Sequence, residues 1–267
     1  MKFDLSQVEF SETDIEREIK IPNKLTPELA EIIGLHLGDG NIYKQAGRGS
    51  VFSYTCCLDQ ERAYYDQYFI PKLKGLFNLK VRPHIPKENE YRIRIYSKAL
   101  FTFFTKVLKI PACNKNSMLA VPQYIKESSR EVNNAFVRGF ADTDFCLIFK
   151  KRHKKFHYYP SITGMLSSAT ILQYIEDYLQ AMGFELSHCY NRRQYDRRTG
   201  KFYTKNEIAL YGSDNLGKWM REIGFSNPKN ITRYAIWKQY GICPPQITQE
   251  ERNRILSGER SPYSHYE

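Results

Sequence analysis

Two aspartates at the ends of apolar stretches are the residues of this chain best suited to chemistry. Asp39 follows the stretch EIIGLHLG, and Asp144 ends a second apolar stretch later in the chain. Both stretches have the periodicity of helices. They contain small residues, Gly34 and Gly38 in the first and Gly139 in the second, which let two helix backbones approach closely. If the two helices pack together, their ends meet and the two carboxylates become neighbours.

Neighbouring carboxylates repel each other, and a divalent cation beside them removes the repulsion. Mg²⁺ prefers one or two carboxylates together with water and phosphate oxygens. Paired metals cleave phosphodiesters, one activating the attacking water and the other stabilising the leaving oxygen. We therefore expect a Mg²⁺ site at Asp39 and Asp144, where Mn²⁺ or Ca²⁺ can replace Mg²⁺ for binding. The competing interpretation is that both aspartates only cap their helices.

The charge balance predicts a polyanionic partner. The 267 residues include 40 Lys and Arg against 29 Asp and Glu, a net charge of +11, and a basic surface attracts nucleic acid. A surplus of charge for solubility is the alternative. The six cysteines form no CxxC pair, which argues against structural zinc. Because the sequence has neither a signal-peptide core nor a long apolar run, we expect a soluble, intracellular, cytoplasmic protein with no membrane partner.

The order of predicted helices and strands repeats along the chain. The first motif helix begins at Thr26, a good N-cap, with Pro27 at its first position. The second begins at a predicted capping box, Ser128 with Glu131. Each is followed by two strands, a helix, two strands and a helix, so the fold class is α+β with the order αββαββα used twice. The predicted divisions are an N-terminal extension (1–25), a first half (26–127), a second half (128–243) and a C-terminal tail (244–267).

The two apolar stretches also resemble the motifs of a known family. IIGLHLGDG (Ile32–Gly40) and VRGFADTDF (Val137–Phe145) are similar to the two motifs of single-chain LAGLIDADG homing endonucleases. The closing stretch EIGFSNPKNITRYAIWKQYGICPP is similar to archaeal members. The likeness extends over nearly the whole chain, including the order of helices and strands in each half.

This resemblance implies two pseudo-symmetric halves, packed through the motif helices, whose antiparallel sheets bind DNA. It implies a monomeric, intron-encoded nuclease, without an obligate protein partner, that cuts both strands of a long asymmetric site in double-stranded DNA. Asp39 and Asp144 would be the catalytic metal ligands, with Gly38 and Thr143 in the same metal site.

Basic residues concentrate in the predicted hairpins of both halves, where they could neutralise phosphates and read base edges. Solvated hairpin faces are the alternative. The predicted DNA-binding residues are Lys44, Arg48, Arg82, Lys87, Arg92, Arg94, Lys150, Arg152, Lys154, Arg192, Arg193, Arg197, Arg198, Lys201 and Lys205.

The sequence departs from the family pattern in two ways. Phe145 stands where the family usually has a glycine that permits a tight turn, and Asp142 is a second acid beside Asp144. The strands after the motif helices, SYTCCLDQ and PSITGMLS, contain no lysine. Two rivals to the nuclease therefore remain. One is a weakened or inactive LAGLIDADG protein that binds DNA or acts as an intron RNA maturase, and the other is a basic α+β protein whose acids only cap helices.

Overall fold

The structure is a computed structural model that describes residues 1–47, 49–112, 119–197 and 199–267. Two compact units, Met1–Thr143 and Asp144–Glu267, make up the chain. The first unit includes the second motif helix because that helix packs on the first. The predicted divisions at 1–25, 26–127, 128–243 and 244–267 describe a duplication in the sequence rather than compactness, and they stay a prediction.

The predicted order αββαββα is confirmed in both sets of elements. After α1 (Glu12–Glu16), the first set contains α2 (Pro27–Gly38), β1 (Asn41–Gln45), β2 (Gly49–Cys57), α3 (Leu58–Tyr64), a π-helical turn (Tyr65–Phe69), α4 (Ile70–Phe77), β3 (His84–Lys87), β4 (Glu90–Tyr96), α5 (Lys98–Thr102) and a second π-helical turn (Phe103–Val107). After α6 (Gln123–Lys126), the second set contains α7 (Arg130–Asp144), β5 (Phe145–Lys150), β6 (Tyr159–Leu166), α8 (Ala169–Ala181), β7 (Leu186–Asp196), β8 (Lys201–Tyr211) and α9 (Gly212–Glu222). The chain then continues through α10 (Pro228–Tyr240), α11 (Gln249–Leu256) and a 3₁₀ turn (Pro262–Tyr266).

Each unit contains one antiparallel sheet of four strands. The strand order is β1-β2-β4-β3 in the first sheet and β5-β6-β8-β7 in the second, so the two sheets have the same topology. Successive residues of a strand point to opposite faces. One face of each sheet is therefore apolar and covered, as at Ile42, Phe52 and Ile95, whereas the other, open face is largely exposed or half-buried apart from central residues such as Val51. None of the helices in the described ranges is long and apolar enough to span a membrane.

The first residues of the motif helices differ in how well the sequence predicts them. Thr26 caps α2 as expected, since its hydroxyl accepts from the Leu29 amide. The predicted capping box of α7 is wrong by one residue. Ser129 accepts from the Val132 amide, while the Ser128 hydroxyl donates to the Tyr124 carbonyl. Adjacent serines offer the chain two caps, and the contact of Ser128 with α6 decides between them.

The helix after β2 contains a π-helical turn that its periodicity does not reveal. Pro71 lies in the first turn of α4, and a proline has no amide hydrogen to donate to the carbonyl four residues earlier. The helix widens over Tyr65–Phe69 just before this proline. Such turns rotate the side chains that follow them, and they are frequent at functional sites.

The two motif helices, α2 and α7, touch through their backbones. A Cβ atom built on Gly34 would lie 2.2 Å from the Phe136 carbonyl oxygen, and one on Gly139 would lie 2.1 Å from the Glu31 carbonyl oxygen. Real Cβ atoms do not approach other atoms this closely, so only glycine fits at either position. Gly38, also predicted at this contact, is the last residue of α2 and is half-buried.

The contact between α2 and α7 is reciprocal. Gly34 and Gly139 are separated by the same number of residues as Glu31 and Phe136, and as the two motif aspartates. Each glycine therefore faces the carbonyl that lies three residues before its counterpart in the other motif. A self-complementary contact of this kind is expected of two related elements that pack about a twofold axis.

We expect Gly34→Ala and Gly139→Ala each to destabilise the protein by about 3 kcal/mol or more, because the new methyl group meets helix backbone, which cannot move aside as a side chain can. Urea unfolding of the purified variants measures this. Gly75→Ala in α4 is the matched control, since a Cβ there meets nothing within 4 Å and alanine favours helix by up to about 1 kcal/mol. Equal effects at all three positions would contradict the close contact.

Candidate metal centre and nucleic-acid interface

Asp39 is held at the end of α2 by its backbone and by one tyrosine. It is the C-cap residue, and its amide donates to the Leu35 carbonyl at 3.0 Å. Its side chain is half-buried, and Oδ2 accepts a hydrogen bond from the Tyr65 hydroxyl at 3.2 Å. A phenol donates without adding positive charge. This contact therefore orients the carboxylate without itself adding positive charge.

The surroundings of Asp39 fit a hard divalent cation. Carboxylate oxygens are the ligands that Mg²⁺ prefers, and the C-terminal end of a helix carries a partial negative charge that favours cations. In the part of the chain that the structure describes, no group of three or more His, Cys, Asp and Glu side chains is placed to hold a metal. Mg²⁺ needs no such cage, because it commonly uses one or two carboxylates and completes its shell with water and phosphate.

The two acids at the end of α7 differ in exposure. Asp142 is buried, whereas Asp144 is half-buried and so more open to solvent. Thr143 lies between them, and its hydroxyl donates to the Phe140 carbonyl at 2.8 Å. Exposure therefore favours Asp144 over Asp142 as a ligand for an external cation.

Gly40 is required by space rather than by backbone conformation. A Cβ at residue 40 would lie 2.2 Å from Nδ1 of His36, and the backbone of Gly40 does not take a positive φ. His36 is fully buried, and Nδ1 lies 2.9 Å from the Tyr54 hydroxyl. The imidazole also packs against Phe52, so His36 is a core residue of the first unit.

Phe145, at the position equivalent to Gly40, enters the core of the second unit. It is the first residue of β5 and lies opposite Gly164, and its φ is not positive. Its ring stacks on Trp219 at 6.2 Å between centroids, and a Cβ on Gly164 would lie 2.0 Å from it. A tight glycine turn is therefore not needed here, because the chain passes directly from α7 into an extended strand and Gly164 provides room for the ring.

A buried ion cluster lies beside the helix contact. The Glu31 carboxylate, 1% exposed, accepts from Arg138 on α7 at 3.0 and 3.1 Å, from the Tyr68 hydroxyl at 2.6 Å, and from Lys72 on α4. Burial opposes ionisation of Glu31, but these donors outweigh it and hold its pKa below the usual 4.5. The same carboxylate raises the pKa of Arg138 and of Lys72 against the effect of their burial. Three helical segments are joined by this one carboxylate.

The open face of the first sheet carries only part of the predicted DNA-binding set. Arg92 and Arg94 lie on that face, in register with Thr55 and Ser53. Lys44 has the parity of the covered face, and its ammonium lies 5.6 Å from the centre of the Phe101 ring.

Three further predicted residues belong to the first unit. Lys87 is the last residue of β3, and its ammonium lies 3.0 Å from the Glu90 carboxylate. The same carboxylate also pairs with Arg92. Arg82 is exposed in the segment before β3. Arg48 lies outside the described residues.

The hairpin β7–β8 extends the second sheet, and its described residues near the turn are exposed on both faces, whereas the last part of β8 is buried. Arg192 is paired in register with Lys205, and Lys201 has the same parity, so these three share the open face. Arg193 has the opposite parity, with its guanidinium 4.2 Å from the centre of the Phe202 ring. A bulge between Cys189 and Arg192 sets this parity.

The remaining predicted cations of the second unit lie in turns. Lys150 ends β5, with its ammonium 4.7 Å from the Tyr211 ring centre. Arg152 and Lys154 lie in the exposed β5–β6 loop, over the rings of Tyr159 and Tyr158. Arg197 is exposed in the β7–β8 turn, and Arg198 lies outside the described residues.

Comparison with known proteins finds a curated relative of this chain. No family model matches the chain. The homing endonuclease I-ApeI of Aeropyrum pernix is 27% identical to it over 114 residues, which cover 42% of this chain and 50% of that protein. The chain is similar to a homing endonuclease. The resemblance predicted from the two motifs is thereby confirmed, and the match spans about half the length of this curated relative.

Solved homing endonucleases also align with the chain. I-DmoI in complex with DNA and Mn aligns with a TM-score of 0.48 and 17% identity over 75% of this chain and 98% of that one. The I-SmaMI LAGLIDADG homing endonuclease bound to cleaved DNA aligns with a TM-score of 0.48 and 13% identity over 91% and 96%.

Sequence reasoning missed the groups that surround the motif helices. A faint signal exists for the ion cluster, because Glu31 and Arg138 are opposite charges close to the contact glycines of the two motif helices. No comparable signal marks Tyr65 among the 20 tyrosines. Its role depends on the π-helical turn, and Pro71 is the only residue that hints at that turn.

Glu31→Gln is expected to destabilise the protein by about 3 kcal/mol, since it removes a buried carboxylate and leaves two half-buried cations without their partner. Because the pKa of Glu31 is lowered by folding, its stabilisation is complete above about pH 4.5 and is lost as the pH falls through the lower folded value. Urea unfolding between pH 7 and pH 3 should show this loss in the parent and not in Glu31→Gln. Glu9→Gln is the control, since Glu9 pairs with Lys98 and Lys106 at the surface, where a small effect is expected.

Proposed function

We propose that this protein is a site-specific endonuclease that hydrolyses phosphodiester bonds in double-stranded DNA with a divalent metal. The observation that carries the proposal is the reciprocal packing of two glycine-containing helices that each end in an aspartate, Asp39 and Asp144. A basic chain with one open sheet face in each unit and the similarity to I-ApeI support it.

Asp39 and Asp144 would hold the metal, with Gly38 and Thr143 beside them. When bound, Mg²⁺ supplies charge neutralisation at the scissile phosphate and lowers the pKa of a water molecule. The protein supplies the rest of the site. The glycine contact fixes the helix that carries Asp39, and Tyr65 orients its carboxylate. The partial negative charge at the C-terminal end of α2 favours a cation. That cation would attract the phosphate, as a lysine would in its place.

The open sheet faces would bind the DNA. A two-stranded antiparallel ribbon fits the major groove, where arginine, asparagine and glutamine read base edges. Asn41, Arg92 and Arg94 on the first sheet and Arg192 and Gln194 on the second are side chains of this kind on open faces. Such a surface gives a long asymmetric site, because the two sheets carry different residues. With DNA as its substrate, the protein would act as a monomer inside the cell, and a cytoplasmic location stays a prediction.

We expect the protein, incubated with a plasmid library of randomised sites and Mg²⁺, to produce linear plasmids cut at one recoverable site. Asp39→Asn and Asp144→Asn should each reduce linear product by about 100-fold or more, because the metal supplies several kcal/mol of transition-state stabilisation. Both variants should still bind the recovered site. If the protein binds DNA but cuts it neither in Mg²⁺ nor in Mn²⁺, it is a DNA-binding protein instead. Binding of RNA but not of DNA would favour a maturase.

Arg94→Gln and Arg192→Gln should each weaken DNA binding and make the plot of log affinity against log salt less steep by about one unit, if each neutralises one phosphate. Equilibrium binding from low to moderate salt measures the slope. Lys74→Gln is the control, because Lys74 is exposed on α4 rather than on a sheet. A slope that changes only in the control would place the DNA on the helices and contradict the proposed interface.

A further inference from the structure

Tyr65 occupies a position from which one atom can act on the metal centre. It is the first residue of the π-helical turn, its ring is buried between Tyr64 and Phe69 at 5.7 and 5.4 Å, and its hydroxyl reaches Oδ2 of Asp39 at 3.2 Å. The same turn directs the Tyr68 hydroxyl to Glu31 at 2.6 Å. Two tyrosines of one widened turn therefore hold two acids of α2, one within the helix and one at its C-terminal end.

The direction of the hydrogen bond follows from the chemistry of its two partners. A phenol is protonated at neutral pH and donates, while an ionised carboxylate can only accept. A terminal carboxylate torsion is otherwise broad, so this donor selects one orientation of Asp39.

We propose that Tyr65 is a positioning residue for the metal site. Its hydroxyl orients the Asp39 carboxylate and thereby sets the affinity of the first motif for a divalent cation. This inference rests on the proposed function, in which Asp39 is a metal ligand. Partners of a metal ligand in other proteins typically change metal affinity by about 10–100-fold when they are removed.

A purely structural role for Tyr65 makes a different prediction. If Tyr65 only fills the core, its ring matters and its hydroxyl does not, because a buried ring contributes through its area and packing. Tyr65→Phe keeps the ring and removes only the oxygen. Tyr68→Phe is the matched control, since it removes the neighbouring hydroxyl of the same turn, whose acceptor is the structural carboxylate of Glu31.

The test uses the full chain with a duplex that it binds and Mn²⁺ as the probe. The electron paramagnetic resonance signal of free Mn²⁺ gives the affinity of the complex for the ion, and the Mg²⁺ concentration at half-maximal cleavage is measured on the same duplex. We expect Tyr65→Phe to weaken Mn²⁺ binding and to raise the required Mg²⁺ by about 10–100-fold, with cleavage restored at high Mg²⁺. Tyr68→Phe should leave both values unchanged while lowering the urea midpoint.

The outcomes separate this inference from the function on which it rests. Unchanged Mn²⁺ affinity in Tyr65→Phe, or equal losses in both tyrosine variants, overturns the positioning role while the nuclease stands. If Asp39→Asn binds Mn²⁺ as tightly as the parent does, Asp39 is not a metal ligand. The proposed metal site then fails, and the role of Tyr65 fails with it. Selective loss in Tyr65→Phe supports both.

Discussion

The approach of two helix backbones at Gly34 and Gly139 is the constraint on which the rest of the structure depends. At this separation neither helix can present a side chain to the other along the line of contact. The flanking positions must therefore provide what the contact itself lacks, which is side-chain burial and directional bonding. Glu31 and Arg138 do so beside the crossing, where a full set of donors compensates the burial of charge. The orientation of both motif ends follows from this arrangement.

The two acids of α2 show how environment separates structural from chemical roles. Glu31 is buried and accepts hydrogen bonds from two cations, so its negative charge is compensated within the protein. Asp39 is half-buried, at the negative end of the same helix, and its tyrosine donor carries no charge. A half-buried carboxylate at this end of a helix is suited to an external cation. Sequence alone does not separate these acids, because each lies in the same apolar helix.

Much of the fold could be predicted from the sequence, because it depends on local patterns. Apolar periodicity, Thr26 as a cap and turn residues gave the order of helices and strands, and the glycines of the motif helices indicated a close contact. The placement of individual side chains could not be predicted. The bulge after Cys189 changes the parity of β7, so Arg192 rather than Arg193 lies with Lys205 on the open face. A one-residue change in register moves every later side chain to the other face, and no residue type announces it.

The two motifs place large and small residues at opposite positions, which determines whether one motif could replace the other. The first motif has a bulky ring at His36 and none at Gly40, whereas the second has Ala141 and Phe145 at the equivalent positions and opens its neighbouring strand at Gly164. These residues fit one another within each unit. A chimera that joined the first motif to the second sheet would leave a void beneath Trp219. The reverse chimera would remove the buried imidazole of His36 and its hydrogen bond with Tyr54, because the second motif has Ala141 at that position. The two motifs are therefore not interchangeable, although the sheets that follow them have the same strand order.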